Sequence, residues 1–308
     1  MNTTSNAGPG SPHDPQAAAP AALSPTRPLH WSVRRELWEN RSLYIAPLAV
    51  AAVVLFGYLI STIGLPHRRR AVLLLDPAKQ RAVIEKPYDM VAMMILATAF
   101  IVGIFYCLDA LHGERRDRSI LFWKSLPVSD FTTVLSKALI PLAVLPLIAF
   151  AIIVATQLDI LLLSNAVLVA NGVPATTGEQ LPLFRHSLIL AYGLATLALW
   201  HAPIYAWLLL VSGWARRATF LWAVLPFALV SILERMALNT SHFGSMLAYR
   251  FIGHIERAFV FGPKGQLHSV SQLTPARFLS TPGLWVGLAV AGVLLAVAVR
   301  LRRDRGPI

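Results

Sequence analysis

The chain has one cysteine, Cys107, and it lies inside an apolar run. That excludes an intrachain disulfide and leaves the thiol a packing role. Charge is also scarce. Charged residues make up 14% of the 308 positions, where soluble domains carry about a quarter. Catalytic motifs are missing too. Neither Lys137 nor Lys264 belongs to a Gly-x-x-x-x-Gly-Lys-Ser/Thr phosphate loop, so the chain has no ATP site of that kind. No His-Glu-x-x-His pattern occurs and the nine histidines are scattered, which gives zinc no ligand set. A Gly-x-Ser-x-Gly elbow is absent as well. These absences predict a chain that is not an enzyme and binds no metal or cofactor of its own.

Apolar residues fill 56% of the chain and gather in long uninterrupted runs. Runs of about 18 or more place a protein in a membrane. Backbone in hydrocarbon must satisfy its own hydrogen bonds, which allows helices or a closed barrel. A barrel needs alternating apolar and polar residues, and these runs are continuous. The expected fold class is an all-α integral membrane protein with six transmembrane helices. The spans are read at Tyr44 to Leu65, Tyr88 to Leu111, Ala138 to Leu163, Ser187 to Val211, Thr219 to Leu233 and Pro282 to Val299, within a transmembrane domain over 44–299. About 20 residues at about 1.5 Å each cross a hydrocarbon core about 30 Å thick, and the fifth and sixth spans are the shortest fits.

The formal net charge is +12, and the basic residues crowd beside the spans. There they meet lipid phosphates, so membrane lipid rather than nucleic acid is the expected polyanion. Six spans put both termini on one side. Lys and Arg are slightly more frequent there, in Arg34, Arg35, Arg41, the 112–137 loop, Arg216, Arg217 and a basic tail over 300–308, which favours both termini inside. His67-Arg-Arg-Arg70 falls on the opposite side, in a loop read over 66–87. Residues 1–29 are rich in Pro, Ala and Ser without an apolar core. They are predicted to be a disordered cytosolic tail rather than a signal peptide.

Residues 30–43 read as an interfacial helix. Trp31, Arg34, Arg35 and Trp38 recur at helical spacing, with Val33 and Leu37 on a neighbouring stripe, a composition suited to the headgroup layer. The plain alternative is an ordinary basic juxtamembrane segment. Two segments on the opposite side are long. Residues 164–186 turn at Asn171-Gly-Val-Pro174, and within 234–281 the stretch from His242 to Phe261 has helical character. That stretch is a short amphipathic or re-entrant helix, or else a simple lid loop. Polar residues within the spans are few: His201, Gln157 and Asp159 are possible intramembrane sites, and Asp109 closes the second span. For His201 the plain reading is an interhelical hydrogen bond. Gly283, Gly287 and Ala291 form a small-residue face suited to close helix packing, within the chain or between subunits.

The loop over 112–137 carries the most information. It reads Glu114-Arg-Arg-Asp-Arg-Ser-Ile-Leu-Phe-Trp-Lys-Ser-Leu-Pro-Val-Ser-Asp130. Glu114 to Arg118 is expected to continue the second span into water, with Asp117 and Arg118 solvated. Ile120, Leu121, Phe122, Trp123 and Leu126 follow, an apolar cluster rimmed by charge, and such clusters mark docking sites. Pro127 breaks the helix, and Ser129 or Asp130 caps the next one. The alternative is a solvated connector with a self-buried apolar tuck.

The string from Gly113 to Asp130 resembles the first cytosolic loop of ABC-2 type transporter permeases, the membrane subunits of ATP-binding cassette transporters. Arg34-Arg-Glu-Leu-Trp-Glu-Asn-Arg-Ser42 is similar to the same family's stretch before its first span. Six spans with cytosolic termini also fit, so the resemblance covers most of the chain; the tail 1–29 and the basic 66–87 loop lie outside it. It implies an elbow helix at about 30–40, carrying Trp31, Arg34, Arg35 and Trp38. It also implies a coupling helix at about 118–126, seated in a cleft of a separate cytosolic ATPase. Glu114, Arg115, Arg116, Arg118, Ile120, Leu121, Phe122, Trp123 and Leu126 are then the ATPase-coupling residues. Small extracellular helices fall near 240–260. The resemblance further implies a second permease subunit, identical or not, with ATP and Mg held by the partner ATPase. Location in a bacterial inner membrane and export as the direction follow from it. The alternative function is a non-transporting sensor or scaffold coupled to the same kind of ATPase. An intramembrane enzyme has only His201, Asp109 and Asp159 to offer.

Overall fold

The computed structural model describes residues 26–125, 128–177, 180–260 and 269–306. Helix α1 (Thr26–Glu39) precedes α2 (Ser42–Ser61), which passes through a single 3-10 turn into α3 (Leu65–Leu73). Helix α4 (Pro77–Asp109) leads to the short α5 (His112–Arg116) and α6 (Ser119–Ser125). Helices α7 (Asp130–Leu139) and α8 (Leu145–Ala170) are joined by a π-helical turn over Ile140–Val144. Then come α9 (Leu183–Trp214), α10 (Thr219–Leu238), α11 (His242–Ala258), α12 (Pro275–Leu279) and α13 (Pro282–Asp304). Extended pairing among the described residues is limited to one isolated bridge, Phe259 with Leu273. Among the described residues, six helical stretches are long and apolar enough to cross a membrane: Ser42–Leu73, Pro77–Arg116, Asp130–Ala170, Leu183–Trp214, Thr219–Leu238 and Pro282–Asp304. Each span read from the sequence lies within one of them.

The helices run past their apolar centres, and this corrects two expectations. The 66–87 segment is not a loop: α3 carries the first span on to Leu73, and α4 begins at Pro77. Asp76 and Pro77 start α4 because proline costs no donor in a first turn. The arginines of α3 bond protein oxygens. Buried Arg69 donates to Thr176 Oγ1 at 3.0 Å and Gln180 Oε1 at 2.8 Å, and Arg70 to the Asn171 carbonyl at 3.1 Å. The second correction concerns the tail. Helix α1 starts at Thr26, so the expected disordered stretch is shortened from its end, and residues 1–25 lie outside the described part.

Proline and left-handed backbone shape the rest. Pro47, Pro87, Pro203 and Pro226 sit inside spans, where neighbouring helices tolerate the missing donor. Pro141 falls in the π-helical turn, which absorbs it. Positive φ at Ala218 and Asn239 brackets α10 with two sharp turns, and Arg118 at +58° separates α5 from α6.

Helix α9 is the hub, packing against α13, α4, α8, α10 and α11, while α2, α4 and α8 pack as a second group. Ile95, Cys107, Ile140, Ile153 and Leu209 are fully buried between them. Helix α10 lies at the periphery with only Ala223 buried, and it exposes Leu221, Leu225, Leu229 and Leu233. One end of the bundle collects α1, α5 to α7, the α9–α10 turn and the end of α13; we call it the terminal end. The distal end collects α3, residues 171–177 and 180–182, α11 and α12.

Candidate coupling site

The terminal end is built around buried charge. Glu36 on α1 is fully buried, and Lys137 on α7 reaches it at 2.8 Å and Glu114 on α5 at 3.1 Å. Tyr106 Oη at the end of α4 donates to the other Glu36 oxygen at 2.8 Å. Arg35 bonds Glu36 at 2.8 Å and Glu114 at 3.4 Å. Arg302 on α13 completes the set, 3.2 Å from Glu114 and paired with Asp130. Glu36, Glu114 and Asp130 face Lys137, Arg35 and Arg302, and the exposed Glu39 adds a fourth carboxylate 3.6 Å from Arg35. Burial alone would push the Glu36 carboxyl up, but Lys137 and Arg35 outweigh it and hold it below the usual carboxylate range. Removing one member of such a buried set costs about 3–5 kcal/mol, because the other charge is stranded.

The loop helices hang from this set. Ser212 Oγ accepts from the Leu111 and His112 amides at 2.9 Å each. Buried Arg115 donates to the carbonyls of Gly213 at 2.8 Å and Gly306 at 3.3 Å. Lys124 on α6 donates to the carbonyls of Arg303 at 3.2 Å and Arg305 at 3.4 Å, and Arg305 in turn to Trp214 at 2.9 Å. Through these bonds α6 is tied to both α9 and α13.

The sequence places Glu114 to Arg118 in water, and the structure corrects half of that. Glu114 and Arg115 turn inward, because Lys137, Arg302 and two carbonyls compete for them. Arg116, Asp117 and Arg118 are exposed, with Arg116 beside Asp117 at 3.0 Å and Asp109 at 3.7 Å. On α6, Ile120 also faces inward and is buried. Leu121 and Phe122 are 59% and 60% exposed. Trp123 is half-buried under the Arg35 guanidinium, 3.8 Å above its ring, with the Phe122 ring edge-on at 4.9 Å. Leu126 and Pro127 lie outside the described residues. Ser129, not Asp130, caps α7, accepting from the Thr132 amide at 3.1 Å.

Helix α1 has two faces. Ser32 and Glu36 are buried on one side. Trp31 and Trp38 are exposed on the other, with Arg34 stacked between them at 5.4 and 4.9 Å. Sequence reading found the outer face and missed Glu36, Tyr106, Asp130, Lys137 and Arg302. A signal was there. Glu36 stands next to Val33 and Leu37 on the apolar stripe of α1, and Lys137 stands between Val134 and Ala138 on that of α7. An acid and a base on two apolar stripes are candidates to meet in the interior.

The intramembrane candidates go separate ways. His201 is buried; its Nδ1 bonds the Leu197 carbonyl of its own helix at 2.9 Å, and its ring also faces Phe251 and His254 of α11. Gln157 is buried and does cross between helices, donating to the Tyr88 carbonyl at 3.2 Å. Asp159 is exposed on the outside of α8. The small-residue face of α13 packs within the chain: Ala291 meets Ala202 and Ala206 of α9, and Gly287 lies under Arg250 of α11. No cluster of three or more His, Cys, Asp or Glu that could hold a metal occurs among the described residues. No family model, curated protein or solved structure matches the chain.

Proposed function

We propose that this chain is the transmembrane permease subunit of an ATP-binding cassette exporter of the ABC-2 type. It works with a second permease subunit and a separate cytosolic ATPase that holds ATP and Mg. The observation that carries the reading is α6: two large apolar side chains, Leu121 and Phe122, exposed on a short helix whose other side is bonded to the bundle. A mobile loop would transmit nothing. A helix tied to α13 through Lys124, and following the Arg115 tie to α9 and the Glu114 tie to α7, passes a push on to three spans at once. Closure of the ATPases would thus re-tilt spans between two packings, the usual device of alternating access. Helix α1 serves as the elbow, with Trp31, Arg34 and Trp38 toward headgroups.

The test uses the exposed pair and spares Trp123, whose stacking on Arg35 makes it part of the scaffold. Leu121→Ser with Phe122→Ser should cut co-purification of the cassette ATPase at least tenfold and leave thermal stability unchanged. Undiminished binding by this variant would sink the proposal.

A further inference from the structure

Helix α11 packs on α9 and α12 along one face, where Gly253, His254 and Ala258 are buried. Arg250 and His254, one turn apart, face α9 at Trp200 and His201, and face α13 at Gly283 and Gly287. His201 stands about thirteen residues from the Trp214 end of α9, and Gly287 about thirteen from Arg300 on α13. Each is therefore roughly 20 Å along its helix from that end. Helix α11 sets a guanidinium against two apolar spans, α9 and α13.

That guanidinium lacks an acid. Arg250 Nη1 donates to the Gly283 carbonyl at 3.0 Å, and the group lies 4.9 Å over the Trp200 ring. Its Nη2 is buried without a partner, and among the described residues no Asp or Glu pairs with it. The room it occupies is kept by Gly287, where any Cβ would collide with it. Two further polar atoms nearby are unpartnered on side chains more than nine-tenths buried: His254 Nδ1 and Trp200 Nε1. The rings of His254 and His201 stand 5.3 Å apart. A guanidinium nitrogen out of contact with water and without an acceptor is costly, and an arriving anion would relieve that cost.

We infer that Arg250, His254 and Trp200 form the headgroup site for an anionic amphiphile, a phosphate or carboxylate on an apolar tail. The acid supplies the acceptor that Arg250 Nη2, His254 Nδ1 and Trp200 Nε1 lack. The tail lies on the apolar surface that α11 and α13 expose at Met246, Ile252, Val286 and Val290. As a substrate site this rests on the permease reading above, but binding itself requires no ATPase, so the two fail separately.

The experiment is thermal unfolding of the purified full chain in neutral detergent with dodecyl phosphate, inorganic phosphate or dodecanol. At about a hundredfold excess over its dissociation constant, dodecyl phosphate should raise the wild-type midpoint by roughly 5 °C. Arg250→Gln should lose that rise, and Arg250→Lys should keep part of it. The proposal is overturned if Arg250→Gln shows the same rise, if dodecanol matches dodecyl phosphate, or if inorganic phosphate alone gives the full effect. Should Arg250→Gln not fold, His254→Phe gives the same comparison: a reduced rise supports the site and an unchanged one overturns it.

Discussion

The two ends of this bundle hold buried charge differently. At the terminal end Lys137 has Glu36 and Glu114, and Arg302 has Glu114 and Asp130, while buried Arg115 is left to the Gly213 and Gly306 carbonyls. At the distal end, buried Arg69 has only the neutral oxygens of Thr176 and Gln180, and Arg250 only the Gly283 carbonyl. Opposite charges locked together resist rearrangement, since separating them strands both. Cations held by neutral dipoles lose less on letting go and gain more when an anion arrives. On the permease reading proposed above, the acid-paired set at the terminal end suits transmission and the acid-free cations at the distal end suit recognition.

The largest expected effect comes from breaking the acid-paired end. Glu36→Gln leaves Lys137 with Glu114, and Lys137→Met leaves Glu36 with Arg35 and Tyr106. Either should cost about 3 kcal/mol, the low end for a broken buried pair, and lower the thermal midpoint by roughly 8 °C. The double variant Glu36→Gln with Lys137→Met should recover most of the loss, because no unpaired charge is left inside. If the double variant loses as much as the two single variants together, the pair is not coupled and the contrast between the ends fails.

Acid should weaken the same end more gradually. Glu36 is held below the usual carboxylate range, so its stabilising share is present above the unfolded value near pH 4.3 and is lost as pH falls through the folded one. The wild-type chain should therefore lose its stability advantage over Glu36→Gln as pH drops below about 4. A gap that stays constant from pH 7 down to pH 3 would show that Glu36 is not ionised in the folded chain.

Much of this was legible before any coordinates. Continuous apolar runs located all six spans, because hydrocarbon leaves the backbone no other solution. The exposure of Leu121 and Phe122 was also readable, since apolar residues amid charge in a short loop have little to hide under. What the sequence did not show was which way each side chain turns. Glu114 and Arg115 sit among exposed neighbours in the string, yet their partners come from Lys137, Arg302 and Gly213, far along the chain. The same holds for Arg69, whose acceptors lie more than a hundred positions away. Arg250 carried no sequence signal as a group packed against the spans, because α11 is short and amphipathic and its place is set by packing on α9. Periodicity reports a helix and its apolar face; it does not report long-range ionic partners.

The smallest expected effect probes the distal end. Gln180→Ala removes one neutral acceptor from Arg69 and leaves Thr176 in place, which should cost about 1 kcal/mol and lower the midpoint by roughly 3 °C. Gln180→Glu goes the other way and gives Arg69 the acid that Lys137 and Arg302 already have. Its benefit should stay near 1 kcal/mol or below, since the carboxylate gives up its own hydration to make the pair. Should Gln180→Ala cost as much as Lys137→Met, neutral oxygens would be holding Arg69 as firmly as carboxylates hold Lys137. The division of labour between the ends would then have no energetic basis.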